Sequence, residues 1–402
     1  MAELSRDERA VVERAGAEPM LAQVLDWSAV NSGSRNLAGL NQVAELLADA
    51  FATLPGDVRF EKPAPVDAVD TAGHVNAVEH GRHLHLTVRP DAPVQLLFTG
   101  HMDTVFAADH EFQQVRWLDD GVLNGPGVAD MKGGLAVMLA ALKAVEGTPV
   151  AARFGYEVVI NSDEEVGSPA SAGLLARAAQ DKRAALTYEP AALPDGTLAG
   201  ARPGSGNFAI VVHGRSAHAG RNPEDGRNAL LAAADLALHL AAGKYPGLSV
   251  NPSRIDGGSP SNVVPDLAIL RVNLRPRTPD DEARARDLIE TAVTAVAAER
   301  DVSIEVHGGF GRAPKPLTPE AEALFELVRQ AGADLGQSIS WQPSGGVCDG
   351  NNIAACGVPV VDTMGVRGGK IHSMEEFLIV DSLKERAALS AVAIMRLAGE
   401  DA

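Results

Sequence analysis

The stretch Val94-Gln-Leu-Leu-Phe-Thr-Gly-His101-Met-Asp103 is a nearly continuous apolar run that stops abruptly at two ligand-type side chains. Such a run suits a strand buried on both faces of a mixed or parallel sheet. Outward from it, His83-Leu-His-Leu-Thr-Val and Asn76-Ala-Val alternate with period 2, and Tyr156-Glu-Val-Val-Ile, Ala184-Ala-Leu-Thr-Tyr and Val358-Pro-Val-Val supply further strands. Leu135, Met138, Leu139 and Leu142 fall at i, i+3, i+4 and i+7, which predicts an amphipathic helix after Gly133-Gly134. Helices are also expected within Leu21 to Phe51, around an Asn31-Ser-Gly-Ser turn, and at Leu174 to Ala179, Glu320 to Leu335 and from Leu383 onward. The fold class is α/β with a mixed sheet.

Between about Gly204 and Gly311 the pattern changes. Strand (Phe208 to His213), helix (Asn228 to Ala242), two strands (the second Ala268 to Leu274), helix (Asp280 to Glu299) and strand (Val302 to His307) form a β-α-β-β-α-β, ferredoxin-like set. Gly- and Pro-rich stretches bracket it. The expected organisation is a catalytic domain in two parts, residues 1–203 and 313–402, with an inserted domain at 204–312.

The 402 residues carry 35 Lys plus Arg and 53 Asp plus Glu, so the net charge is 35 − 53 = −18. That balance argues against nucleic-acid and anionic-membrane partners. Two cysteines form no disulfide framework. The charged N-terminus shows no apolar signal region, and no apolar stretch reaches the roughly 18 residues of a membrane span, so a cytoplasmic location is expected.

Five segments are read as placing a potential metal ligand just past the C-terminal end of a predicted strand: Gly100-His101-Met-Asp103, Gly127-Val-Ala-Asp130, Ser162-Asp-Glu164-Glu165, Tyr188-Glu189-Pro and Lys370-Ile-His372-Ser. Open α/β sheets gather their ligands at the carboxyl ends of strands, so these loops are expected to converge. Imidazole and carboxylate donors together suit zinc, with cobalt or manganese as substitutes. Asp103 stands where it could accept the second ring N–H of a metal-bound His101. Asp130 could bridge two ions through its two oxygens. Of the adjacent pair Glu164 and Glu165, one can ligate while the other serves an attacking water as general base and then general acid.

These segments, with Gly125-Pro-Gly-Val-Ala-Asp-Met-Lys-Gly-Gly, Asp163-Glu-Glu-Val-Gly-Ser, Gly214-Arg-Ser-Ala-His-Ala-Gly and Gly345-Gly-Val-Cys-Asp-Gly-Asn, resemble the di-zinc aminoacylase/carboxypeptidase metallopeptidases. That family includes glutamate carboxypeptidase, acetylornithine deacetylase and succinyl-diaminopimelate desuccinylase, and the resemblance runs from roughly residue 20 to the C-terminus. It implies two zinc ions per subunit, one held by His101, Asp130 and Glu189, the other by Asp130, Glu165 and His372. It further implies Glu164 as catalytic base, Asp103 as the residue orienting His101, and a cis peptide after Asp130. The inserted domain resembles the family's dimerisation or lid domain, which implies a homodimer. His218 matches a histidine that reaches into the partner's active site to polarise the scissile carbonyl. Asn262 and Arg275, with Arg312 as a further candidate, match residues that hold a substrate carboxylate, and an arginine fork is suited to that group.

The implied substrate is a small acyl- or peptidyl-amino acid, and the implied activity hydrolysis of its amide bond, most like a glutamate-type carboxypeptidase. An N-acyl-amino-acid deacylase or dipeptidase is the alternative. A non-catalytic binding protein on the same scaffold is the different-class reading, opposed by the intact ligand set. One departure stands out: glutamate carboxypeptidase carries a lysine a few residues beyond Glu-Pro, whereas Ala191 to Ala201 contains none and Arg202 is the nearest cation. His83-x-His85 reads as an exposed strand edge, Cys356 as core, and Cys348 as lacking a dedicated base. Gly204-Ser-Gly-Asn-Phe-Ala leads into a strand, not a helix, which excludes a dinucleotide loop.

Overall fold

The central sheet has six strands in the order Asp57–Glu61, His83–Val88, Phe154–Asn161, Val94–His101, Ala184–Thr187 and Val360–Val361. The first two pairings are antiparallel and the remaining three parallel. The structure is a computed structural model and describes residues 4–119 and 121–399. Alternation along the strands sorts the core into two layers. Leu96, Phe98, Val158, Ile160 and Leu186 face one cluster, while Leu97, Val159 and Ala185 face another with Leu174, Leu175 and Ile353. Helices Arg6–Ala17, Met20–Ser28, Leu37–Phe51, Gly133–Glu146 and Asp381–Gly399 contribute to the first layer, and Ala172–Ala178 and Asp349–Ala354 to the second.

The Gly133–Glu146 helix departs from the amphipathic expectation. Twelve of its residues are buried, leaving only Lys143 and Glu146 less so, because Arg6–Ala17, Met20–Ser28 and Asp381–Gly399 cover the side turned away from the sheet. The small, uncharged residues Ala136, Ala140, Ala141 and Ala144 between the leucines permit this. The His83-x-His85 strand is also corrected. It lies inside the sheet, His83 and His85 are buried, and His85 Nε2 sits 2.5 Å from Glu157 Oε2. Period-2 alternation of His with Leu gives the same pattern whether the polar face meets solvent or a buried carboxylate. Cys356 is exposed rather than core, and Cys348 is buried.

Contacts divide the chain into two compact units. One comprises Met1–Ala64, His80–Ala201 and Leu317–Ala402, the other Pro65–Glu79 and Arg202–Pro316. The second unit has a four-stranded antiparallel sheet in the order Leu248–Gly257, Leu267–Pro276, Ser205–His213 and Ser303–Arg312. Helices Ala229–Ala242 and Pro279–Arg300 pack on it, giving the expected β-α-β-β-α-β order. A hairpin of Asp67–Val69 and Val75–Ala77 belongs to this unit too, which corrects the expected assignment of residues 1–203 to the catalytic part. Val69 packs on Val211 and Ile269, and the Arg271 guanidinium donates to the carbonyls of Val69 and Asp70.

Candidate metal centre

Three adjacent parallel strands deliver most of the centre. His101 ends the Val94–His101 strand, Glu164 and Glu165 follow Phe154–Asn161, and Glu189 follows Ala184–Thr187. Asp130 lies just ahead of the Gly133–Glu146 helix. That helix starts against the strand end so closely that a Cβ at Gly134 would stand 1.9 Å from the Tyr188 carbonyl oxygen. His372 arrives by another route. It lies between Gly368–Gly369 and Phe377–Ile379, strands of a small sheet in which Phe377 pairs with Asn124, and so its loop comes beside the Asp130 segment. The peptide bond between Asp130 and Met131 is cis, as the resemblance implies.

The two carboxylate oxygens of Asp130 face different partners. Oδ1 is 3.1 Å from His101 Nε2, and Oδ2 is 3.3 Å from His372 Nε2. His101 Nε2 is 3.7 Å from Glu189 Oε2, and His372 Nε2 is 3.1 Å from Glu165 Oε2. Ligand atoms of His101, Glu164 and Glu189 lie within 4.8 Å of one another, as do those of His101, Asp130 and Glu165. His101, Asp130, Glu164 and Glu189 are buried, while the His372 side chain remains 52% exposed.

Asp103 does more than the sequence suggested. His101 Nδ1 is 2.9 Å from the Asp103 main-chain oxygen and 3.4 Å from its carboxylate. The carboxylate accepts the backbone N–H groups of Glu164 (3.1 Å) and Glu165 (3.2 Å) and the Ser34 hydroxyl (2.7 Å). It therefore fixes the acidic pair as well as the histidine. Glu376 has no motif signal in the sequence, yet its buried carboxylate accepts N–H bonds from Gly127 (3.1 Å), Ala129 (2.9 Å) and Asp130 (3.1 Å). Lying four residues after His372, it joins the His372 segment to the Asp130 turn. Lys132 is buried and donates to the Val30 carbonyl, and burial lowers it to about 8.

The charge balance fits a dication site. Five carboxylate side chains (Asp103, Asp130, Glu164, Glu165 and Glu189) share this volume with two imidazoles, and crowded buried anions are costly without cations. Burial, then repulsion from Asp130, pushes Glu165 up to about 8. Burial alone would raise Asp130, but hydrogen bonds from His101 and His372 hold it well below the usual carboxylate range. His372 is raised to about 11 by the hydrogen bonds it donates to Asp130 and Glu165. A mixed nitrogen and oxygen donor set of this kind suits zinc.

The remaining predicted residues lie in the second unit. Val263 bridges to His218, and the Ala219 N–H donates to the Asn262 carbonyl (2.9 Å), so the exposed His218 and Asn262 are neighbours. Arg275 Nε donates to Asn273 Oδ1 (3.0 Å), and Asn273 Nδ2 to Ser205 Oγ (3.1 Å); Ser205 is paired in register with the buried Arg312. The structure thus gathers the two arginines at one end of the sheet and His218 with Asn262 at the other. Leu267, paired with His213 at the far end, is eight residues from Arg275, or about 26 Å at the usual ~3.3 Å rise.

The model of peptidase family M20/M25/M40 matches residues 97–396. Carboxypeptidase G2 from Pseudomonas sp. (strain RS-16) is 32% identical over 311 residues, covering 75% of this chain and 74% of its own. A succinyl-diaminopimelate desuccinylase from Xanthomonas oryzae pv. oryzae is 29% identical over 350 residues, covering 80% and 89%. An M20 family metallo-carboxypeptidase from Sulfolobus solfataricus shares the fold, with a TM-score of 0.71 at 14% identity over 95% of this chain and 99% of that one. No helix among the described residues is long and apolar enough to cross a membrane. Its sequence match and its fold agree with the ligand-rich centre built at the strand ends: the chain belongs to peptidase family M20/M25/M40 and is a hydrolytic enzyme.

Proposed function

We propose that the enzyme hydrolyses the amide bond of N-acyl or N-peptidyl amino acids bearing a free carboxylate, with glutamate-type carboxypeptidase activity as the leading reading. The observation that carries it is the division of Asp130, whose two oxygens face two separate His-and-carboxylate sets. Two zinc ions per subunit, with cobalt or manganese as substitutes, would supply Lewis acidity and water activation there. His101, Asp130 and Glu189 form one ligand set, and Asp130, Glu165 and His372 the other. Glu164 takes the proton from the attacking water and returns it to the leaving amine. His218 donates to the carbonyl oxygen, and Asn262, Arg275 and Arg312 hold the substrate carboxylate.

Those substrate-binding residues favour a homodimer through the inserted unit. Groups at opposite ends of one sheet can reach one small molecule only if two copies contribute. The Ala229–Ala242 helix leaves Leu231 51% and Leu238 70% exposed, and Leu248–Gly257 is an edge strand. The missing lysine between Ala191 and Ala201 supports a second reading, an N-acyl-amino-acid deacylase or dipeptidase.

A panel of acyl- and peptidyl-amino acids varied on each side of the amide tests the proposal. Turnover should require the free carboxylate, vanish on chelation and return with zinc. Hydrolysis of carboxylate-blocked substrates, or activity that survives chelation, would contradict it.

A further inference from the structure

The Glu164-Glu165 turn is held by a residue from a remote part of the chain. Asn161, which ends the strand before the turn, donates from Nδ2 to Asp349 Oδ2 (2.7 Å), and the Ser168 hydroxyl, just after the turn, donates to Asp349 Oδ1. Asp349, Asn161 and Ser168 are all buried. One carboxylate therefore grips both shoulders of the loop that carries the acidic pair. Asp349 opens the Asp349–Ala354 segment, which Ile353 anchors in the apolar layer under the sheet together with Val159 and Leu174. The grip is thus tied to the packed apolar layer under the sheet.

Ser168 supplies a second observation. Its φ is +57°, a left-handed conformation that glycine adopts more readily and that costs an L side chain energy. A serine at this position gains its hydroxyl bond to Asp349 in return for that backbone cost. The backbone N–H of Ser168 also donates to the Asp163 carbonyl (2.8 Å), and the Asp163 carboxylate accepts the Ala170 N–H (2.6 Å). Asp103 holds the turn by its two middle N–H groups, and Asp349 holds it by its two ends.

We infer that Asp349 is a positioning residue: it acts through Asn161 and Ser168 to fix the placement of Glu164 and Glu165. The inference rests on the assignment of Glu164 as the base in the proposed hydrolysis. Displacing a reacting group by about 1 Å can cost ~10²-fold in rate, and that sets the expected scale.

D349A and S168G are the informative variants. Under the inference, D349A lowers kcat about 10- to 100-fold and S168G about 3- to 10-fold when assayed at saturating zinc, each with KM within about threefold. S168G relieves the strained φ, so its thermal midpoint stays close to wild type while kcat falls, a separation that a purely structural role would not give. D349N should recover much of the lost kcat, because the Ser168 hydroxyl can turn to accept from the new amide. Hydrogen exchange at the Glu164 and Glu165 amides should speed up in D349A and S168G. Wild-type kcat in both variants, a loss confined to KM, or unchanged exchange would overturn the inference. Should D349A fail to fold, S168G and D349N decide the matter. A wild-type enzyme inactive on the whole panel would contradict the hydrolase reading instead, and the exchange rates would still decide whether the clasp exists.

Discussion

Asp130 and its two histidines set the chemistry at the scale of single residues, and they make it depend on pH. Where no metal is bound, the hydrogen bonds to Asp130 and Glu165 let His372 hold its proton up to about 11. At pH 7, well below that value, His372 is protonated, and it must lose that proton to ligate a metal. Metal binding should therefore release a proton, and apparent affinity should rise with pH from neutrality toward about pH 11. Calorimetric titrations in buffers of different ionisation enthalpy check this; an enthalpy independent of buffer would contradict it. Glu376 offers a second test. E376Q replaces a carboxylate that accepts three backbone N–H groups with an amide that has one acceptor oxygen. Metal affinity should fall ~10- to 100-fold, as for other outer-shell partners. Stability should fall by about 1–3 kcal/mol, readable in denaturant melts.

Among the elements, the Gly133–Glu146 helix and the strand end it touches show what was legible in the sequence and what was not. The apolar runs at Val94, Tyr156 and Ala184 marked the three strands that carry the centre, because a strand buried on both faces leaves no polar alternation. Six ligand-type residues, His101, Asp130, Glu164, Glu165, Glu189 and His372, were readable from their placement and from the family resemblance, and the structure brings them together. The burial of the Gly133–Glu146 helix was not readable, since a stripe of leucines looks the same whether alanines opposite it meet water or other helices. His83 and His85 were misplaced for a related reason: their partners Ser162 and Glu157 are remote in sequence. Glu376 works through backbone donors, which leave no pattern of residue types, and Asp349 stood in a quoted motif whose residues do not name its remote partners Asn161 and Ser168. Gly134 yields a prediction at this scale. In G134A the new Cβ meets the Tyr188 carbonyl, with backbone on both sides and little room to yield. A cost of about 1–3 kcal/mol is expected, with a lowered thermal midpoint and weakened metal binding next to Glu189. An unchanged midpoint would show that the helix start can shift.

The whole molecule has a net charge of −18, and the proposed substrate is an anion. Under the proposed function, local positive charge at the metal centre and on Arg275 and Arg312 supplies the attraction. The separation of those arginines from His218 and Asn262 gives a test of assembly. L238E should shift the sedimentation coefficient toward that of a monomer and depress activity. Mixing an E164A subunit with an H218A subunit should restore part of the turnover that each lacks alone. No recovery would place His218 in service of its own chain. The most direct test of the central claim is the turnover and metal content of E164Q beside wild type on the same carboxylate-bearing substrate. The expected result is two equivalents of zinc in both proteins and a loss of about 10²- to 10⁴-fold in kcat for the variant. Wild-type turnover in zinc-loaded E164Q would contradict the assignment of Glu164 as the base and the mechanism built on it.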